Sequence, residues 1–296
     1  RLSTNLYNGK LKKAATFKKL IYKNVNFKQD YKEIYAMFFK SKYCKRKVND
    51  SLIKSFIEKE VINYEDALLF SYIKGILEGF PYENAIKQVI IDEAQDYNKL
   101  QYIIISKIFK KADFTILGDI NQNINPYYQY KTLADLESAL NEESKYLELL
   151  KTYRSSPEII NYTNKILSLN HVNAIRKKTN KPVKIRKNID NLLERLKEDM
   201  DYFINEYKSF AIITKDRKEA EKIYNLVKEE YDISIVDEKT KKFHKDLIII
   251  PAYIAKGLEF DSVLVYNNRE NTYRKNERNL LYVACTRAQH ELCIYN

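Results

Sequence analysis

Val89-Ile90-Ile91-Asp92-Glu93-Ala94-Gln95-Asp96 is the stretch whose reading decides the fold of this chain. An apolar run stops at two adjacent carboxylates. A short continuous run of this kind predicts a strand over residues 88–92, buried in a parallel sheet. In open α/β sheets ligands lie beyond the carboxyl ends of strands, which is where Asp92 and Glu93 fall. A carboxylate there can hold Mg²⁺, a hard cation that takes oxygen ligands and keeps several waters and substrate phosphates. Its neighbour can orient an attacking water. A strand that ends in two solvated acids is the alternative.

Upstream, Asn63 predicts an N-cap with Asp66 at the third helical position. The helix over residues 67–78 carries Leu68, Leu69, Tyr72, Ile73, Ile76 and Leu77 on its buried side. Gly79 and Pro81 end it. Downstream, a helix over residues 98–110 and a strand over 114–117 lead to Gly118-Asp119-Ile120-Asn121-Gln122. Gly118 permits a tight exit from the strand, and Gln122 presents an uncharged amide beyond it.

A third strand, over residues 146–150, runs into Thr152-Tyr153-Arg154-Ser155-Ser156-Pro157. Ser155 or Ser156 caps the next helix, with Pro157 in its first turn. Arg154, at a strand–helix junction, can reach a phosphate, and Tyr153 offers a flat face for a base. A surface arginine beside a core tyrosine is the alternative. Residues 170–187 are basic and polar, a linker that closes on a short strand over 183–185. Strands over 210–213, 233–236, 246–250, 262–266 and 290–295 then alternate with helices over 191–206, 216–230 and 279–288. This is a new α/β core, and it predicts a second domain from about residue 151. Within it, Lys256-Gly257-Leu258-Glu259-Phe260 offers a glycine for close backbone approach and a carboxylate that can accept from sugar hydroxyls. Arg287, near the end of the last helix, is the second arginine of interest; a solvated arginine is its alternative.

Composition bounds the class. The 296 residues suffice for two domains, and 45% hydrophobic with 31% charged residues describes a soluble globular chain. No apolar run reaches membrane-span length and no signal peptide is visible, so no membrane is expected. Three scattered cysteines, Cys44, Cys285 and Cys293, supply neither a disulfide framework nor a zinc site, which fits a cytoplasmic protein. The net charge is +12, and residues 1–60 hold 16 Lys+Arg against 5 Asp+Glu. Apolar residues recur there at helical spacing (Phe17, Leu20, Ile21; Tyr31, Ile34, Tyr35, Phe38), and residues 40–47 form a basic cluster. Two explanations stand: a polyanionic partner such as nucleic acid, or a lysine-rich solvated surface.

Together and in this order, the motifs resemble those of the UvrD/Rep-like superfamily 1 helicases. Residues 89–96 match the family's Walker B motif, 117–122 motif III, 152–155 motif IV, 256–260 motif V and 282–287 motif VI. Pro251 and Tyr253, ahead of Ala255-Lys256-Gly257, resemble most closely the HelD-like branch, which is associated with bacterial RNA polymerase. The resemblance implies an α/β fold of two RecA-like parallel-sheet domains, the first incomplete, with a helical basic N-terminal segment. It divides the chain into residues 1–62 (1B-like or partner-binding), 63–150 (partial domain 1A) and 151–296 (domain 2A). It implies ATP and Mg²⁺ as cofactors and nucleic acid, DNA foremost, as partner, with RNA polymerase as a further one. Asp92 would hold the metal and Glu93 activate water. Gln122 would contact the γ-phosphate, with Arg154 and Arg287 as arginine fingers. Tyr153 would stack on adenine, Glu259 would bind ribose, and Gly257 would lie at the nucleotide. ATP would close the cleft between the two domains, and hydrolysis would reopen it.

One feature departs from the family. A P-loop needs Gly-x-x-x-x-Gly-Lys-Ser/Thr, and the glycines here are Gly9, Gly75, Gly79, Gly118 and Gly257, none in that pattern. The expectation is therefore the C-terminal part of a longer ATPase, inactive by itself and missing the N-terminal part of the same protein. A non-catalytic RecA-like module that binds RNA polymerase or nucleic acid is the alternative.

Overall fold

The computed structural model describes residues 31–41, 49–51, 54, 58, 64–125, 130–140, 143–169, 172–187, 189–240, 246–267 and 269–296. The expected cap at Asn63, the repeat of Phe17, Leu20 and Ile21, Cys44 and most of the basic cluster lie outside them. The chain divides into two compact units, Arg1–Leu117 with Ala134–Ser144, and Gly118–Leu133 with Lys145–Asn296. Both are α/β with parallel strands.

The first unit contains helices α1 (Tyr31–Lys40), α2 (Tyr64–Glu78), α3 (Lys99–Ile108) and α4 (Glu137–Leu140), with strands β1 (Gln88–Ile91) and β2 (Asp113–Ile116). Gly79 ends α2 at φ +99°, a conformation costly for any residue with a Cβ. Asn98 and Gln101 form a reciprocal capping box at the start of α3. Strands β1 and β2 pair in parallel, with Gln88 opposite Asp113 and Ile91 opposite Ile116. The apolar run predicts a strand covered on both faces, and the structure corrects this. Among the described residues the sheet has two strands, so Ile91 is covered while Ile90 stands 65% exposed. Leu69, expected on the buried side of α2, also faces solvent.

The second unit is built on a wholly parallel six-stranded sheet of β5 (Lys184–Arg186), β6 (Phe210–Thr214), β7 (Ser234–Ile235), β8 (Leu247–Pro251), β9 (Phe260–Tyr266) and β10 (Ala288–Tyr295). The strand order is β5-β10-β9-β6-β8-β7. Alternate residues supply two cores, because side chains along a strand point to opposite faces. Ala211, Ile213, Ile248, Ile250, Val263, Val265, Leu292 and Ile294 pack on one side with Ile159 of α5 (Pro157–Leu167) and Ala284 of α8 (Arg278–Cys285). Phe210, Ile212, Ile249, Leu264 and Cys293 pack on the other, against Leu196, Met200 and Phe203 of α6 (Leu192–Glu206) and Ala220 and Ile223 of α7 (Arg217–Val227). Asn191 and Asp216 cap α6 and α7 through their side chains.

The strand expected over residues 146–150 is absent. That segment is exposed, with Leu149 at 89%, and strand pairing begins only at β3 (Lys151–Thr152), parallel to β4 (Asn173–Ala174). β4 thus falls inside the stretch read as a linker. An apolar run specifies a strand only where a neighbour offers its backbone groups, and here that neighbour begins only at the end of the run, with the Asn173 N–H on the Leu150 carbonyl at 2.9 Å.

The start of β10 carries a polar cluster. The Tyr207 and His290 rings stack with centroids 6.3 Å apart, His290 lies 3.7 Å from Asp261, and an Arg176 guanidinium nitrogen lies 3.3 Å from its ring. Burial, and then the Arg176 charge, hold the His290 pKa below its ordinary value despite Asp261, with Lys181 acting in the same direction as Arg176. The unfolded chain therefore binds this proton more readily than the folded one. Stability from His290 is complete above the unfolded pKa of about 6.5 and is lost progressively as pH falls below it and through the lower folded pKa. His290→Phe is expected to flatten the fall in Tm between about pH 7 and pH 5; an unchanged pH dependence would contradict the assignment.

Candidate functional site

In the first unit β1 ends at the acidic pair. Asp92 is exposed, and its Oδ1 accepts from the Glu93 backbone N–H at 2.8 Å. Glu93 adopts the left-handed region at φ 50° and ψ 42°. A non-glycine residue held there costs of order 1–3 kcal/mol and persists only where its surroundings impose it. Those surroundings are visible. The Ala94 N–H donates to the Leu117 carbonyl at 2.9 Å, the Leu117 N–H to Ile91 at 2.8 Å, and the buried Tyr102 hydroxyl to the Ala94 carbonyl at 2.7 Å. The fully buried Gln95 donates its amide to Glu93 Oε2 at 2.6 Å. The two carboxylates thus leave the strand in different directions, one turned back on its own backbone and one steadied by Gln95.

Gln122, Tyr153, Arg154, Gly257, Glu259 and Arg287 all belong to the second unit. Gln122 closes a 3₁₀ turn capped by Asp119. Its amide nitrogen donates to Asp119 Oδ2 at 2.9 Å, and its Oε1 accepts from Arg287 Nη2 at 2.9 Å. Arg287 lies in the turn after α8 and is 1% exposed, not solvated. Its Nε donates to the Val283 carbonyl at 3.0 Å, Nη1 to the Leu258 carbonyl at 3.3 Å, and Nη2 also to Thr286 Oγ1 at 3.1 Å. A planar fork of five donors is what allows one side chain to bind a helix end, a loop and a turn together.

Arg154 and Glu259 meet directly. Arg154 Nε lies 2.6 Å from Glu259 Oε1, with both side chains about two-fifths exposed. Gln289 Nε2 donates to Glu259 Oε2 at 2.7 Å. Backbone contacts carry the same juxtaposition: Ser155 Oγ donates to the Ala288 carbonyl at 2.6 Å, the Ser156 N–H to Gln289 at 2.9 Å, and the Phe260 N–H to Arg287 at 3.0 Å. A register shift of β10 against β9 between Ala288 and Glu291 takes Gln289 out of the regular ladder, as bulges do when they re-aim a side chain. Arg176 Nη1 donates to the Arg154 carbonyl at 2.6 Å. Tyr153 is 71% exposed, a free ring and not a core tyrosine. Gly257 sits at φ +81°, where a side chain is strained.

Gln95, Arg176 and Gln289 escaped the reading of the sequence. Gln95 stood inside the decisive stretch, but its role depends on the turn at Glu93. Gln289 and Arg176 reach the site only through the bulge and the β3–β4 pairing, which no local pattern announces. Among the described residues no group of three or more His, Cys, Asp or Glu could hold a metal by itself. A single carboxylate such as Asp92 suits Mg²⁺, which draws its other ligands from water and phosphate.

Mixed α/β units with parallel strands are the fold class of helicase RecA-like domains. Comparison with known proteins gives the family. The UvrD/REP helicase N-terminal domain matches residues 3–147, and the UvrD-like helicase C-terminal domain matches residues 246–295. The chain belongs to the UvrD-like superfamily 1 helicases. A putative ATP-dependent DNA helicase of Acanthamoeba polyphaga mimivirus is 31% identical over 252 residues, 71% of this chain and 34% of that protein. The ATP-dependent DNA helicase PcrA of Staphylococcus aureus is 30% identical over 122 residues, 38% of this chain and 16% of that protein. The chain thus spans about a third or less of these curated relatives' length. The solved C-terminal domain of a possible DNA helicase from Lactobacillus plantarum is 29% identical, covering 49% of this chain and 86% of that one, at a TM-score of 0.40.

Arg287→Lys keeps the charge and loses the fork. It is expected to lower unfolding stability by about 1–3 kcal/mol, because carbonyls at Val283 or Leu258 lose their donor. Urea unfolding reads this directly, and an unchanged midpoint would contradict the described role.

Proposed function

We propose that this chain is the C-terminal part of an ATP-dependent superfamily 1 DNA helicase or translocase, in which ATP hydrolysis drives movement on nucleic acid. The observation that carries this is side-chain contact among residues of four separate motifs, Gln122 with Arg287 and Arg154 with Glu259. A scaffold has no need to gather two guanidiniums, an amide and a carboxylate from segments so far apart in sequence. The relatives named as ATP-dependent DNA helicases support the same reading.

In this reading Asp92 holds Mg²⁺, which would neutralise phosphate charge. Glu93, steadied by Gln95, orients and deprotonates the attacking water. Arg154 and Arg287 stabilise the charge that develops on the γ-phosphate. Such arginines are worth about 10³–10⁵ in rate in well-studied nucleotide hydrolases. Arg287 must then exchange at least one of its present acceptors for phosphate oxygen. Gln122, bonded to it, senses that exchange. Tyr153 stacks on adenine, Glu259 accepts from the ribose, and Gly257 lets the backbone approach.

RNA polymerase as the target of remodelling is a second reading. Pro251 and Tyr253 favour it, with the Tyr253 hydroxyl engaged on Glu238 at 2.6 Å. Two free, buried cysteines, Cys285 and Cys293, support a cytoplasmic setting. Among the described residues no helix is long and apolar enough to cross a membrane.

Steady-state ATP hydrolysis by the full-length protein, with single-stranded DNA or core RNA polymerase added, tests both readings. Hydrolysis is expected to rise with DNA and to fall at least about a hundredfold in Glu93→Gln. Stimulation by polymerase and not by DNA would favour the second reading. Hydrolysis that persists in Glu93→Gln would overturn the catalytic assignment.

A further inference from the structure

We infer that Gln289 is a positioning residue for sugar recognition: its amide holds the Glu259 carboxylate in the orientation that accepts from a nucleotide ribose. The inference rests on the proposed role of Glu259 and adds a residue that lies outside the five motifs.

Glu259 ends a flexible three-bond side chain that is about two-fifths exposed, so an unsupported carboxylate would sample several rotamers. Here each carboxylate oxygen has its own partner: Arg154 Nε on Oε1 at 2.6 Å, and Gln289 Nε2 on Oε2 at 2.7 Å. A carboxylate has about four lone-pair positions, so these two contacts leave acceptor capacity for hydroxyls. The two partners differ in kind. Arg154 is assigned to phosphate, and any nucleotide that draws it away leaves Glu259 with one tether. Gln289 is the one that stays. Its main chain is fixed independently, because its carbonyl accepts from the Ser156 N–H at 2.9 Å and its neighbour's carbonyl accepts from Ser155 Oγ at 2.6 Å. The register shift of β10 explains why its amide can reach Glu259 at all. An amide is also the appropriate donor, since it orients a carboxylate without the competing charge that a lysine would bring to the sugar.

A residue that only supports the fold would weaken all nucleotides alike. A residue that aims Glu259 at a hydroxyl must weaken only those that carry the hydroxyl. The test is steady-state hydrolysis of ATP, 2′-deoxy-ATP and 3′-deoxy-ATP by the full-length protein, comparing wild type, Gln289→Met, Gln289→Ala and Glu259→Gln. In wild type at least one deoxy analogue is expected to show a raised KM. In Gln289→Met, which keeps the side-chain length and removes the donor, the KM for ATP should rise about three- to tenfold towards that of the analogue. The analogue's KM and the kcat for both should stay within about twofold. Gln289→Ala should behave the same way, which keeps the test valid if one variant folds poorly. Equal losses for ATP and both analogues, or an ATP preference that survives in both Gln289 variants, would overturn the inference. If Glu259→Gln also leaves the preference intact, the ribose role of Glu259 itself is wrong. If Glu259→Gln abolishes the preference and the Gln289 variants do not, only the role of Gln289 is.

Discussion

A guanidinium buried with 1% of its surface exposed must be bonded on all sides, and Arg287 meets that demand by binding three separate segments. It takes the Val283 carbonyl from its own helix end, the Leu258 carbonyl from the loop before β9, and the Gln122 amide oxygen from the turn after β2. Burial of an unpartnered charge costs several kcal/mol, so these segments are held together as long as Arg287 stays inside. Much of the second unit's functional geometry follows. The Phe260 N–H bonds the Arg287 carbonyl, Glu259 precedes Phe260, and Arg154 pairs with Glu259. A change of partner at Arg287 therefore bears on the segments that carry Gln122 and Glu259.

The parallel sheet makes this possible. Strands covered on both faces bury nearly every side chain from Phe210 to Thr214 and from Ile248 to Pro251, so the strand ends are rigid mounts. The loops beyond them carry the exposed chemistry. Tyr153, Arg154 and Glu259 are open to solvent, whereas Arg287 and the hydroxyl-bearing Ser155 and Ser156 are buried beneath them. Exposed groups supply contact, and buried ones set where that contact falls.

Much of this was legible in the sequence, for physical reasons that differ between elements. Strands β6 and β8 are almost wholly apolar, β9 and β10 carry apolar runs over residues 263–266 and 292–295, and helices α6 and α7 have capping residues at Asn191 and Asp216, so their approximate positions follow from local pattern. The run at residues 146–150, Tyr-Leu-Glu-Leu-Leu, has the alternation of a strand but no β-branched residue, and it forms no strand, because pairing depends on a partner that sequence does not name. Ile90 shows the same limit: apolarity marks it for burial, yet in the two-stranded sheet of the described residues it stands exposed. Among the site residues, Arg154 and Glu259 could be named from motif resemblance, but their mutual ion pair could not. Nor could the burial of Arg287, since an arginine near a helix end is ordinarily solvated. Gln289 was out of reach, because its contact depends on a shift of register and not on a pattern.

The central claim is that the second unit's gathered residues receive the base and sugar of ATP. Photolabelling of the full-length protein with 8-azido-ATP, followed by peptide mapping, tests it most directly. The account predicts that label falls on the peptide containing Tyr153, whose ring is 71% exposed, and that unlabelled ATP competes it away. Label distributed elsewhere with the Tyr153 peptide unmodified would contradict the account.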